Sequence, residues 1–285
     1  MSESLYRFLP PPSEGTQAAE LLRALITTDR IRLSDPRRFN DPFDGKMAFA
    51  RIGAIFGDLR AYVESTIARY YTPQSRTIAE QALELASLNV EDAIDKLHRR
   101  VNAGNDQHLD AYRVLCLFKP PDNALPHDLL MWSHYADGHR GICLQFDKDI
   151  LANRFICKPV EYATEFPSLK ELAAADGEAL GQLCLFRKAK RWEDEHEWRL
   201  LELAKRTEND TVVLPSGGLT GIILGCAVPP ALPPLIFQWN NERQQPLLIY
   251  QAAKDDNLYG LRIMTMKQPT TASTVTLTRG NSTSG

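Results

Sequence analysis

Hydrophobic positions recur along the chain with two different periods, and the changes of period mark its elements. LYRFL, residues 5–9, reads as a first strand, stopped by Pro10, Pro11 and Pro12. Thr16 to Ile26 carries helical spacing, and Ile31 to Leu33 forms a second short strand. RLSDPRRFNDPFDGK follows, a loop dense in turn residues. From Asp58 to about Val101 the spacing is helical again, in three amphipathic segments: DLRAYVESTIARYY, TIAEQALELAS and VEDAIDKLHRRV. Asn102 to Asp106 ends that run, and strands dominate afterwards. They are YRVLCLF, GICLQF, CKPVEYA, HEWRLLEL, TVVLP, GIILGC, PLLIYQA and YGLRIM, interrupted by helical pieces near Leu129, Leu172 and Leu235. Past Lys267 the chain turns small and polar, TTASTVTLTRGNSTSG, and reads as a disordered tail.

A helix-rich insertion followed by a strand-rich half predicts an α+β fold, because a doubly wound sheet needs regular crossover helices. The expected organisation is one domain over 1–267, with the helical insertion at about 58–101 after the second strand. Residues 268–285 form the tail. A chain of 285 residues has ample length for a large core, and its hydrophobic content of 44% suits a globular protein. The formal net charge of −3 marks no overall basic surface for nucleic acid. No apolar run reaches membrane-spanning length, and MSESLYRFLPPPSEG lacks a basic region followed by an apolar one. A cytoplasmic protein without membrane contact is the expectation.

The chemistry the chain lacks narrows the field. Cys116, Cys143, Cys157, Cys184 and Cys226 are scattered with no C-x-x-C spacing, so a reduced, largely buried set is expected. His134 and His139 are five apart, roughly 140° around a helix, and no H-E-x-x-H occurs, so no metal is expected. No G-x-G-x-x-G follows a strand and no P-loop is present.

Two stretches carry candidate chemistry. MWSHYADGHRGICLQFD, residues 131–147, crowds Trp132, His134, Tyr135, His139 and Arg140 against an apolar run. It reads equally as a pocket wall or as a helix with Trp132 and Tyr135 in the core followed by a hairpin strand. In KAKRWEDEHEWRLLEL, residues 188–203, strand alternation puts Glu195 and Glu197 on one face and His196 and Trp198 on the other. Paired carboxylates can stabilise positive charge developing at a sugar carbon. The competing reading is a solvated ladder of Glu195, Glu197 and Arg199, the commoner outcome of charge runs. Asn40 and Asp41 in FNDPFD either cap a turn, with Pro42 setting its direction, or contact a cofactor. Phe39 and Phe43 are expected to pin that loop to the core.

The blocks LYRF, RLSDPRRFNDPFD, MWSHYADGHRGICLQFD and W-x-x-E-x-EWR (from KAKRWEDEHEWRL) resemble a bacterial family of proteins of unknown function. Several of its members are associated with phage-defence loci. That family in turn resembles the ADP-ribosyltransferase fold, a split β-sheet that binds NAD without a Rossmann motif. The resemblance implies an NAD-dependent ADP-ribosyltransferase or NAD glycohydrolase, a toxin or effector with NAD as substrate and no metal. The acceptor would be protein, nucleic acid or water, and an inhibitory partner protein could restrain it. Carried over by position, Glu197 is the catalytic glutamate, with Glu195 completing E-x-E. Arg7 holds the NAD phosphates or nicotinamide ribose, and Ser34 takes the second-motif place. No S-T-S triplet follows Ser34, so Tyr135 or His139 would do that work, with Trp132 walling the pocket and Asn40 on its rim. A non-catalytic nucleotide sensor of a defence system is the alternative from another class.

Overall fold

The computed structural model describes residues 3–266 apart from 14, 47, 52–53, 71–72, 104–108, 122–124 and 176. The expected tail at 268–285 therefore lies outside the described residues. The chain is mixed α+β, built on an eight-stranded sheet. Its strands, in chain order, are β1 (Ser4–Leu9), β2 (Arg30–Arg32), β3 (Tyr112–Phe118), β4 (Ile142–Asp147), β5 (Ile156–Pro159), β6 (Glu161–Ala163), β7 (Arg187–Ala189), β8 (Glu197–Leu203), β9 (Thr211–Val213), β10 (Leu219–Leu224), β11 (Leu248–Lys254) and β12 (Leu261–Thr265). The large sheet runs β12-β11-β10-β4-β1-β3-β8-β5, while β2-β9 and β6-β7 form two small ribbons. Only β10-β11 is parallel within the large sheet. The helix joining those two strands supplies the crossover that a parallel pair requires.

The helices are α1 (Gln17–Thr28), α2 (Phe56–Tyr70), α3 (Pro73–Ala86), α4 (Val90–Ala103), α5 (Leu129–Tyr135), α6 (Lys148–Arg154), α7 (Leu169–Ala174), α8 (Gly177–Leu185) and α9 (Leu232–Asn241). The helical insertion thus forms α2 to α4, as its spacing predicts. CKPVEYA breaks at Val160 into β5 and β6, and β7, α6 and α8 carry no clear period in the sequence. One sheet face packs Leu5, Leu115, Leu144 and Ile222 under α1 and α9. The other carries Tyr6, Phe8, Phe118 and Cys143 under Trp132 of α5. The insertion has its own apolar cluster, in which Phe49, Leu59 and Ile94 meet Leu169 and Leu172 of α7.

The seams of the sheet differ. β1 and β4 pair along their whole length, from Ser4↔Asp147 to Leu9↔Ile142. β1 meets β3 at a single registered pair, Tyr6↔Phe118. On its far side β3 pairs fully with β8, from Tyr112↔Leu203 to Phe118↔Glu197. The β1–β3 seam is the weakest line through the middle of the sheet, and it opens where Arg7 and Cys116 lie.

The FNDPFDG loop is shaped by its own side chains. Asn40 Oδ1 accepts from the Asp41 amide at 3.0 Å, and Asp41 Oδ1 accepts from the Phe43 amide at 2.9 Å. These are the local side-chain to backbone bonds that make Asn and Asp turn residues. Gly45 sits at φ +66°, and a Cβ there would lie 3.3 Å from Leu185 Cδ2, so this turn calls for glycine. Phe39 packs against the core as expected. Phe43 does not: it is 66% exposed, because the Asp41 turn swings it away from the sheet.

Candidate functional site

The ends of β7 and β8 meet the FNDPFDG loop in a buried cluster of charge. Arg199 is fully buried and every one of its N–H groups has a partner. Nε donates to Glu197 Oε1 at 2.7 Å, while Nη1 and Nη2 grip Asp44 Oδ1 and Oδ2 at 2.8 and 2.6 Å. The remaining two donors reach Leu185 O at 2.6 Å and Glu197 Oε2 at 3.1 Å. Lys188 sits beside it and donates to Glu195 Oε2 at 2.5 Å and Glu197 Oε2 at 2.9 Å. Tyr135 O–H donates to Glu195 Oε1, closing the network toward α5. The Tyr162 hydroxyl oxygen, Oη, accepts from the Glu197 amide at 2.7 Å and fixes the start of β8.

Electrostatics in this pocket follow from burial opposed by close charges. Burial works to raise the Glu197 pKa, but Arg199 and Lys188 outweigh it and hold the carboxyl below its ordinary value. For Asp44 burial wins over Arg199, and its pKa lies above the carboxylate norm. Burial opposes the Lys188 charge, yet Glu197 and Glu195 keep its pKa above that of a free lysine. Burial also lifts Tyr135, helped by Glu195, and lifts Tyr162 to about 12. The Cys116 thiol, raised by burial and then by Glu197, stays protonated. The cluster holds Asp44, Glu195 and Glu197 against Lys188 and Arg199, an excess of one negative charge.

A cavity of about 180 Å³ opens beside this cluster along the β1–β3 seam. Tyr6, Arg7 and Phe8 of β1 line one side, and Cys116, Leu117 and Phe118 of β3 line the other. Tyr135, Lys188, Glu195, Glu197, Asn40 and Asp44 complete its wall together with Phe39 and Met131. Arg7 Nη1 is buried with no hydrogen-bond partner, and burial pushes the guanidinium pKa down. Arg7 forms no ion pair with another described residue, in contrast to Arg199 and Lys188. A buried arginine nitrogen left without a partner, on a residue that lines the cavity, is costly to the fold and suits an anionic ligand.

The structure thus brings Arg7, Asn40, Tyr135, Glu195 and Glu197 to one cavity, although they are far apart in sequence. Asn40 Oδ1 makes the turn bond of the first reading, and the residue also lines the cavity. Ser34, Trp132 and His139 are not in the wall. Ser34 is tied into a backbone bridge with Val114, its amide 2.7 Å from Val114 O. Trp132 is fully buried, with its Nε1 donating to Pro126 O at 2.7 Å and its ring edge-on to Phe8 at 5.1 Å. It backs a wall residue and presents no face to a ligand. His139 stacks on Trp132 at 6.2 Å, at φ +67°, away from the cavity. The solvated charge ladder is also overturned, since Glu197 is only 6% exposed and Arg199 is fully buried.

Sequence reasoning missed Lys188, Cys116 and the aromatic pair Tyr6 and Phe8. The signal for Lys188 is the balance of charge in KAKRWEDEHEWR, where a lysine precedes two glutamates that need counterions. No group of three or more His, Cys, Asp or Glu is placed to hold a metal among the described residues. No helix among them is long and apolar enough to cross a membrane.

Residues 131–200 match the model of a family described as a protein of unknown function, DUF2971. The match runs from α5 to the middle of β8, so it contains Tyr135, Lys188, Glu195, Glu197 and Arg199. Arg7 and the FNDPFDG loop lie outside it. No curated protein and no solved structure matches the chain.

Proposed function

We propose that this chain cleaves the nicotinamide–ribose bond of NAD, as an ADP-ribosyltransferase or NAD glycohydrolase. The observation that carries the reading is the pairing, in one cavity, of a carboxylate cluster with excess negative charge and an arginine two strands away, on β1, whose Nη1 is buried without a partner. NAD has the complementary pattern, a cationic ring next to a pyrophosphate. Positive charge builds on the ribose carbon as nicotinamide leaves, and a preformed negative site stabilises it without reorganising. Glu197 is the catalytic carboxylate in this scheme. Lys188 and Arg199 hold it ionised and immobile, Glu195 and Tyr135 flank it, and Arg7 takes phosphate. The near-separation of the sheet at β1–β3 supports the resemblance to the split sheet of ADP-ribosyltransferases.

A second reading, a nucleotide sensor without turnover, is favoured by one feature. Both Glu197 oxygens already accept from cations, so part of the carboxylate's charge is spent inside the protein. Purified protein incubated with NAD and assayed for free nicotinamide separates the two. Turnover is expected, and Glu197→Gln lowers it by roughly 10²-fold, as for the loss of one transition-state electrostatic group. Dinucleotide binding without nicotinamide release establishes the sensor instead.

A further inference from the structure

The seam cavity is small. Ligand clefts commonly enclose roughly 300–1,000 Å³, and about 180 Å³ holds only one end of a dinucleotide. A second cavity of about 470 Å³ lies on the other side of the FNDPFDG loop, and Lys188 lines both. The loop divides its residues between them: Phe39, Asn40 and Asp44 face the first cavity, while Phe43 and Lys46 face the second. Phe49 and His98, the latter from α4, close the far side, so the helical insertion helps to build this space.

The lining has the chemistry of a nucleotide site. Lys46, Arg51, Arg187 and Lys188 face it against a single acid, Glu165. The carboxylates that pair Arg51 and Arg187, namely Asp95, Glu161 and Glu171, lie outside the lining. Arg187 Nε is buried with no hydrogen-bond partner, and Lys46 has no ion pair among the described residues. Phe43, exposed at the mouth, offers a free aromatic face. Stacking on such a face is available to any base, and guanidinium and ammonium groups suit phosphate.

We infer that this second cavity is a nucleoside-monophosphate subsite, with Phe43 stacking the base and Lys46 and Arg187 holding the phosphate. It rests on the NAD reading in one respect: it would seat the adenosine-phosphate half of the same dinucleotide whose other half enters the seam cavity past Lys188. AMP has no bond for the proposed reaction to cleave, so its binding tests the subsite independently of turnover. Calorimetry on the full chain with AMP and with adenosine is the experiment, on the wild type and on Phe43→Ala and Lys46→Glu, both at positions exposed enough to spare the fold. Phe43→Ala is expected to weaken both ligands about tenfold, within the range of one lost base stack. Lys46→Glu is expected to weaken AMP by about tenfold and leave adenosine unchanged, as for one lost charge-assisted bond. No AMP binding at millimolar concentration, or binding indifferent to both substitutions, overturns the subsite. Nicotinamide release without AMP binding would overturn the subsite alone. AMP binding that follows this pattern, with no nicotinamide release, would uphold the subsite and remove the proposed reaction.

Discussion

Arg199→Met is the sharpest test of the charge cluster, because methionine keeps an unbranched chain and removes only the guanidinium. Arg199 is fully buried and makes five hydrogen bonds, to Glu197, Asp44 and Leu185 O. Without it, Asp44, Glu195 and Glu197 face Lys188 alone, and the local excess grows from one negative charge to two. Removing one partner of a buried ion pair typically costs about 3–5 kcal/mol, since the other charge is left uncompensated. The orphaned Leu185 carbonyl adds about 1–3 kcal/mol. Asp44 provides an escape: burial already raises its pKa, so it can take up a proton, and each pKa unit is worth about 1.4 kcal/mol. The net loss expected at neutral pH is about 3–6 kcal/mol, a large share of the roughly 5–15 kcal/mol of a typical domain.

Urea denaturation measures it. With a slope of about 2–3 kcal/mol/M the midpoint should fall by about 1–2 M or more while the slope is kept. The penalty must also depend on pH. Losing Arg199 raises the folded-state pKa of Asp44 and Glu197, and a raised carboxyl favours the fold below its unfolded value and loses that favour as pH rises through the folded one. The gap between variant and wild type should therefore shrink as pH is lowered from 7 toward 5. Asp44→Asn in the Arg199→Met background should cost much less than in the wild type, because the two share one interaction. A loss under about 1 kcal/mol, or a gap indifferent to pH, would refute the buried cluster.

Three further outcomes follow from single residues. Tyr162 has its pKa raised to about 12, chiefly by burial, so its contribution is present below the unfolded value near 10 and lost as pH rises through 12; Tyr162→Phe should flatten the alkaline limb of a stability profile in that window, and an unchanged limb would contradict this. Trp132→Phe should lower stability by about 1–3 kcal/mol through lost core volume and an unpaired Pro126 carbonyl, yet leave nicotinamide release per folded molecule unchanged; a selective loss of turnover in thermally matched assays would return Trp132 to the site. Gly45→Ala should cost on the order of 1 kcal/mol from its positive φ alone, read as a lower Tm, and a neutral or stabilising result would mean that the loop turns differently.

Strand and helix positions were largely legible because period carries them. YRVLCLF is β3 to the residue, and the amphipathic segments of the insertion are α2 to α4. Alternation also correctly put Glu197 and Arg199 on one face of β8. It gave no warning that this face is covered, because the cover is Asp44, which lies 155 residues away in an irregular loop. Glu195 reached the cavity by a different route from the one alternation implied. It ends the 3-10 turn Lys190–Glu195, and His196 at φ +42° breaks the strand pattern before β8 begins. The two glutamates meet at Lys188 because a turn and a strand converge there, a geometry with no sequence period.

Trp132 and His139 lie outside the lining of the seam cavity for a related reason. Their clustering with Tyr135 signals a dense local structure, and such density serves packing as readily as binding. Trp132 packs under Phe8, and Phe8 is the residue that reaches the cavity. The FNDPFDG loop shows the reverse case, in which turn chemistry and site chemistry coincide. The same bonds that make Asn40 and Asp41 turn residues fix which way their neighbours point. Asn40 and Asp44 are turned toward the seam and the charge cluster, while Phe43 and Lys46 are turned outward to the second cavity. A loop held this way is a wall with two usable faces. Loosening its turn should disturb both cavities together, whereas substitutions at Phe43 or Lys46 should touch only one.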